Sequence, residues 1–485
     1  MVCSALLMRM SQYSFFRADR LRDHGTVARI NCFLESPWFI FLICTMTALS
    51  STLGLELVLY TAFILLSIYI ALFGNDFLPI AIIVVCSYIS PSITNNPGQN
   101  PDSVFYPHNG GIYLIVLLVL FLICAVYRLI RDQEIGGRAF IKQPRRLLPG
   151  MMILGVGYIL AGAFSGRYFA NGVMNPVFAL LQFISVFLVY WLLSGAVRWD
   201  RVRPEYIGWV GIGAGLTVCF QLIVVFISNN VIRDSKILTG LIFSGWGNTN
   251  NIGCMIAMMI PFALFLARRT GKIILFNTLA VLMICFVCFT CSRTSMVAAF
   301  LAYGASMAVV LGDPGQRKAF LKFNGMILLI LLILLIVFHK PLNLMFTELR
   351  DRGLNPRRRE LVYPEGIRIF LENPIFGEGF YPSSDKIQEW STVEKIKTVL
   401  PARWHNTVIQ LLASCGLVGL LCYSVHRLQT ICLFWKKRNT DIIFIGFSLF
   451  SLLVMSLLDC HFFNIGPTLF YSMALAFAEH LKTEN

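Results

Sequence analysis

Residues 111–129 read GIYLIVLLVLFLICAVYRL, nineteen positions with one charge, Arg128, near the far end. Coiled as an α-helix with a rise of ~1.5 Å per residue, such a run is about 29 Å long. That matches a bilayer hydrocarbon core of ~30 Å. The outer face of a soluble helix carries polar side chains, and this run has no such face.

Comparable runs recur near 37–53, 56–73, 77–90, 147–164, 174–195, 207–228, 251–267, 273–290, 295–311, 325–339, 406–425, 442–459 and 465–480. The whole chain of 485 residues is 57% hydrophobic and 13% charged. Soluble domains are about half apolar and about a quarter charged. The expected fold is an all-α polytopic membrane protein with about 12–14 transmembrane helices. The first three runs are crowded, so re-entrant segments are expected among them.

The net charge of +15 reads as basic cytoplasmic loops rather than a nucleic-acid surface. A basic tail, 1–36, carries Arg9, Arg17, Arg20, Arg22 and Arg29, and has no small-residue cleavage site after a short apolar core. With that tail inside, Arg128–Arg146, Arg198–Arg203, Arg268–Lys272, Arg317–Lys322 and His426–Arg438 form basic inner loops, and both termini are cytoplasmic. The organisation expected is then a tail over 1–36, helices over 37–340, one long external loop over 341–404 and closing helices over 405–480. The 14 cysteines are scattered through apolar runs. Even Cys285, Cys288 and Cys291 read as packing, and no metal is expected there.

A few polar residues interrupt this pattern on the outer side. Arg293 lies in the break Cys291–Ser292–Arg293–Thr294–Ser295, where a guanidinium suits phosphate oxygens better than lipid. His405 and Asn406 stand where the long loop re-enters the membrane. Asn406 suits a helix cap, and a neutral imidazole beside arginines can accept a proton. In the run Asn373–Pro374–Ile375–Phe376–Gly377–Glu378–Gly379, proline and two glycines mark a tight turn, with Glu378 a weak catalytic candidate. A second turn, Gly245–Asn251, includes Asn250 and Asn251, which suit sugar hydroxyls or a helix cap. Arg233 and Lys236 precede it, and Arg350, Arg352, Arg357, Arg358 and Arg359 cluster in the long loop. His108, His339 and His461 lack a comparable setting.

Taken in order, Ser292–Arg293–Thr294, Asn373–Gly379, and His405–Asn406 followed by Gln410–Leu411–Leu412 and Gly416–Leu421 resemble the bacterial O-antigen ligase and O-antigen polymerase superfamily. The Asn248–Asn251 turn is similar to that family's as well. The resemblance implies a GT-C-like membrane glycosyltransferase in the bacterial cytoplasmic membrane, working at its outer face. Such an enzyme moves a glycan from an undecaprenyl-pyrophosphate carrier to a lipid A core, a growing polysaccharide or a protein. No metal, cofactor or nucleic acid is implied. The family's histidine carries over to His405, and its Ser–Arg arginine to Arg293. Its loop arginine falls on Arg358 or Arg359, and Arg233 is the nearest match to another arginine. Pro364 and Gly366 interrupt what is a continuous amphipathic helix in the family, so a different loop fold is expected here. The competing class is a transporter or flippase for a polysaccharide or anionic lipid. It calls for ionisable residues in helix centres, where the sequence shows almost none.

Overall fold

The structure is a computed structural model describing residues 25–89, 111–136, 145–165, 168–169, 174–233, 236–244, 247–337, 339–351, 357–380, 404–437 and 439–481. Within these residues the regular structure is α-helical apart from two short 3-10 helices, Thr239–Leu241 and His461–Phe463, and two small antiparallel hairpins. One pairs β1 (Ile232–Arg233) with β2 (Lys236–Ile237), the other β3 (Phe243–Ser244) with β4 (Gly247–Asn248). Each of the fourteen apolar runs contains a helix. Eight described helices are long and apolar enough to cross a bilayer alone, and a bent pair makes nine.

The helices form two compact units, Met1–Pro144 with Leu192–Ile252, and Arg145–Trp191 with Gly253–Asn485. In the first unit, α1 (Gly25–Leu34) and α2 (Pro37–Leu53) meet at a 70° bend where Pro37 opens the second helix. There follow α3 (Glu56–Phe73), α4 (Ile80–Ile89), α5 (Gly111–Gly136) and α8 (Glu205–Ser228). Polar side chains in this unit satisfy the backbone ends of short helices. Gln221 donates to the Ile89 carbonyl at the end of α4 at 2.5 Å. Arg128 is buried in α5, donates to the Gly74 carbonyl at 2.7 Å and stacks on Phe77. It therefore does not begin a basic loop.

The second unit contains α6 (Leu148–Ile159), most of α7 (Met174–Ala196) and of α9 (Thr249–Thr270), α10 (Ile273–Phe289), α11 (Arg293–Leu311), α12 (Pro314–Val337), α13 (His339–Asp351), α14 (Arg357–Glu372), α15 (Thr407–Lys436), α16 (Thr440–Leu458) and α17 (Ile465–His480). Arg268 and Arg269, at the C-terminus of α9, bind Asp441 in the first turn of α16 at 3.3 and 3.0 Å. Each charge complements the helix end that bears it. Two sequence-expected inner loops are helical instead: Arg317–Lys322 lies in α12, and His426–Lys436 completes α15. Close packing of α6 on α15 needs glycine. A Cβ on Gly157 would stand 2.8 Å from Cys422 Cβ, and one on Gly150 2.9 Å from the Gln429 carboxamide carbon.

The long polar segment departs most from expectation. Pro364 and Gly366 do not interrupt a helix, because α14 runs through both. Gly366 is there for proximity: a Cβ would meet Ile409 at 2.6 Å and Trp404 at 2.9 Å. Its bare backbone lets α14 lie on the first turns of α15, around Ile369, Trp404 and Ala413. The chain then turns at Asn373–Phe380 and docks into a break in α15. Gly416 stands at φ 63°, ψ −161°, so the helix ladder is cut there. Glu378 and Gly379 N–H groups donate to the Ala413 and Ser414 carbonyls, both at 2.9 Å. Leu417 and Val418 N–H groups donate to Pro374 and Ile375 carbonyls at 2.9 and 3.1 Å. Helix α6 ends nearby, and Gly162 N–H donates to the Phe376 carbonyl at 2.7 Å. Asn175 closes the junction, accepting from Phe380 N–H at 2.7 Å and donating to the Ala161 carbonyl at 3.2 Å. Irregular backbone survives within a membrane protein where it is paired in this way.

Gly416→Ala is expected to lower the apparent melting temperature of the detergent-solubilised protein. A backbone at φ 63°, ψ −161° is open essentially only to glycine and costs another residue about 1–3 kcal/mol, and the Cβ would fall 2.4 Å from the Ile375 carbonyl. Gly304→Ala, where a Cβ meets nothing within 4 Å, should leave it unchanged.

Candidate active site

His405 occupies the two-residue approach to α15. Its backbone is left-handed, φ 49°, a conformation rare outside glycine that marks positions held by their surroundings. Three contacts do the holding. The Tyr363 hydroxyl of α14 donates to the His405 carbonyl at 3.1 Å. Asn406 caps α15, its Oδ1 accepting from Val408 and Ile409 N–H groups at 2.8 and 3.1 Å. The same side chain donates through Nδ2 to the Leu457 carbonyl at 2.7 Å, tying the start of α15 to the end of α16.

The third contact is chemical. His405 Nδ1 lies 3.1 Å from Asp459 Oδ1, with the imidazole 44% exposed and the carboxylate 11% exposed. Nδ1 therefore carries the proton in the neutral ring, and Nε2 is left as the acceptor. Asp459 is fixed in turn by Cys460 N–H at 2.7 Å, and His461 Nε2 lies 3.9 Å from its other oxygen. Burial pushes the Asp459 carboxyl up. The hydrogen bond from His405 and the charges of His461 and His405 outweigh it, and the net position is well below the usual carboxylate range. The sequence-based expectation set His405 among arginines; its partner in the structure is an acid.

Arg293 is the first residue of α11 and is exposed. Ser292 before it is buried, with Oγ 2.7 Å from Ser295 Oγ, and Cys291 is left-handed at φ 53°. Glycine at 253 of α9 admits this turn, since a Cβ there would strike Ser295. No acid stands in the first turn of α11, and its N-cap side chain caps no helix N–H group, so the positive end of that helix dipole favours an anion. Helices α11 and α15 begin at one end of the second unit. The Asn406–Leu457 bond places the start of α15 at the end of α16, and the Arg268–Asp441 pair places the far end of α9 at the start of α16. The near end of α9 meets α11 at Gly253. At the opposite end of the unit, Arg268, Arg269, Arg146 and Lys437 gather with Asp441 and Glu479.

The remaining candidates fall as follows. Gly377, at φ 67°, and Gly379, at φ 106°, shape the docked turn. Glu378 between them is buried rather than solvent-facing. Arg358 and Arg359 lie on the backbone of α14, and their side chains are outside the described residues. Arg233, Asn250 and Asn251 belong to the first unit. Arg233 is exposed on β1, and Asn250 and Asn251 donate their N–H groups to Asn248 Oδ1, both at 3.1 Å, in the first turn of α9. Sequence reasoning passed over Asp459, whose signal was a lone acid after the long apolar run 442–458. It also assigned His426 and Arg427 to a loop, whereas both lie within α15. Arg427 stacks on Tyr423, Phe462 and Tyr471 at 4.9, 4.4 and 5.0 Å, so a cation does lie inside a helix.

Because the folded pKa of Asp459 is depressed, its stabilisation is present above the ordinary carboxylate range of ~3.9 and is lost as pH falls below it. Melting temperatures followed from pH 6 down to 3 should therefore fall more steeply for the parent protein than for Asp459→Asn.

No curated protein matches the chain significantly. The family model described as O-antigen ligase matches residues 278–424, which hold Arg293, α14, the docked turn and His405 but neither Asn250 nor Asp459. The stretch that bears Arg293 and the histidine is thus similar to the O-antigen ligase family.

Proposed function

We propose that the protein transfers a glycan from an undecaprenyl-pyrophosphate carrier to an acceptor hydroxyl or amine at the outer face of the bacterial cytoplasmic membrane. The observation that carries this reading is the His405–Asp459 pair, set at the same end of one unit as the Arg293 helix start.

The acceptor oxygen or nitrogen forms a bond to the anomeric carbon, and the bond from that carbon to the phosphate oxygen breaks. The pyrophosphate leaves with the electron pair, and the acceptor proton passes to His405 Nε2. Asp459 stabilises the imidazolium that results. Arg293 and the open N-terminus of α11 take up the negative charge that develops on the leaving group, with Arg358 or Arg359 of α14 as a second cation. The step draws on arginines as its cations and routes nothing through a metal. Asn250, Asn251 and Arg233 remain candidates for glycan contact. The basic cluster opposite the histidine supports a cytoplasmic assignment for that end of the unit, where α17 closes. Lipid A core, growing polysaccharide and protein are the acceptor classes the family offers.

Arg427 inside α15 favours a second reading, a transporter or flippase for an anionic lipid or polysaccharide. Dissipating cytoplasmic energy sources separates the two, since transfer from an activated carrier continues without them.

In membranes supplied with a lipid-linked glycan, His405→Ala is expected to lower transfer by about 10²–10⁴-fold. Arg293→Ala should be similarly impaired, and Arg293→Lys only partly restored, because an ammonium lacks the planar fork. Parent-level activity in both alanine variants at normal expression ends the assignment. Cysteines placed at 293 and 405 should label from the outer side.

A further inference from the structure

A buried amide ties together the start of α15. The Gln410 carboxamide oxygen accepts from the Trp404 N–H at 3.2 Å and from the Cys460 thiol at 3.5 Å. A main-chain N–H can only donate, so the atom facing Trp404 is the oxygen and the amide nitrogen points the other way. That nitrogen donates to Ser414 Oγ at 2.9 Å. The main-chain N–H of Gln410 closes the first helical turn on the Asn406 carbonyl at 2.8 Å. Trp404 and Asn406 are the two chain neighbours of His405, so one glutamine holds the backbone on both sides of the histidine.

The thiol bond reaches the other half of the pair. Cys460 follows Asp459 in the chain, and its N–H donates at 2.7 Å to Asp459 Oδ1. His405 Nδ1 meets that same oxygen at 3.1 Å. The contacts thus form a closed ring, from Gln410 through Trp404 and His405 to Asp459 and back through Cys460. Gln410, Trp404 and Cys460 are all buried, so water competes little for the bonds that close it.

We infer that Gln410 is a positioning residue for His405, whose amide oxygen holds the histidine and the Asp459 turn at the separation that lets Nδ1 bond the carboxylate. The inference rests on the transferase reading given above. Only the ring protonated on Nδ1 presents a bare Nε2 to the incoming hydroxyl or amine. Without the amide oxygen, the Trp404 N–H and the Cys460 thiol lose this common acceptor. The two segments then part more easily, and the imidazole takes up both neutral forms.

The test uses the full-length protein in membranes supplied with a lipid-linked glycan. Gln410→Leu suits the helix and removes the acceptor, and it is expected to lower kcat for transfer by about 10–10²-fold with KM little changed. Gln410→Glu keeps an oxygen toward Trp404 and Cys460 and should recover most of the loss. ¹⁵N spectra of histidine-labelled protein give a readout that a merely structural role would leave alone, with His405 assigned by its absence from His405→Ala. The parent should hold His405 protonated on Nδ1, and Gln410→Leu should show both neutral forms. A parent-like tautomer in Gln410→Leu overturns the inference. Where Gln410→Leu does not accumulate, Cys460→Ala and Cys460→Ser approach the same oxygen from the other side. The alanine variant should show both forms and the serine variant, which keeps a donor, the parent's form; indistinguishable spectra from the two overturn the inference. Absence of transfer by the parent protein ends the transferase reading alone, and the tautomer then decides the role of Gln410.

Discussion

Backbone N–H and C=O groups inside a bilayer have no water to turn to, so any departure from helix must be answered by protein. The break in α15 at Gly416 is such a departure, and the Asn373–Phe380 turn answers it with four main-chain hydrogen bonds. Much of the second unit follows from this exchange. Helix α14 must lie along the first turns of α15 to deliver the turn, and Gly366 lets it come close enough. Helix α6 can end at Ile159 because the same turn receives Gly162. The segment between α12 and α15 is therefore in part a structural member of the membrane domain.

That arrangement also explains why His405 is held so firmly. Tyr363 reaches its carbonyl from α14, which is itself pinned by the turn. Asn406 spends one end of its amide on the cap of α15 and the other on α16. Asp459 then fixes the ring. A left-handed backbone costs free energy for a residue with a Cβ, and these bonds offset that cost. The imidazole is presented with one nitrogen committed to a carboxylate and the other open, which suits proton abstraction more than packing.

Apolar periodicity made the helices legible: α2 and α3 begin and end where the apolar runs do. Local chemistry made Asn406 legible as a cap and Gly377 and Gly379 as turn residues. Less could be read where meaning depends on a distant partner. Pro364 and Gly366 look like breakers until Trp404 and Ile409 are brought against them. Arg427 looks like a loop residue until the rings of Phe462 and Tyr471, from later segments, close over it beside Tyr423 of its own helix. Asp459 lies 54 positions from His405, so no local window joins them. Spacing along a chain reports neighbours on one helix, and a pair drawn from the ends of two helices leaves no such trace.

The junction at Gly162, Phe376 and Ser414 draws on three segments of the chain, and the carboxylate that pairs with His405 comes later still. During synthesis the ribosome delivers α6 long before the turn that seals its end, and His405 before its carboxylate. A nascent chain already threaded through the membrane many times therefore still lacks the carboxylate that orients His405. The imidazole–carboxylate pair is complete only once α16 and the turn after it have been made.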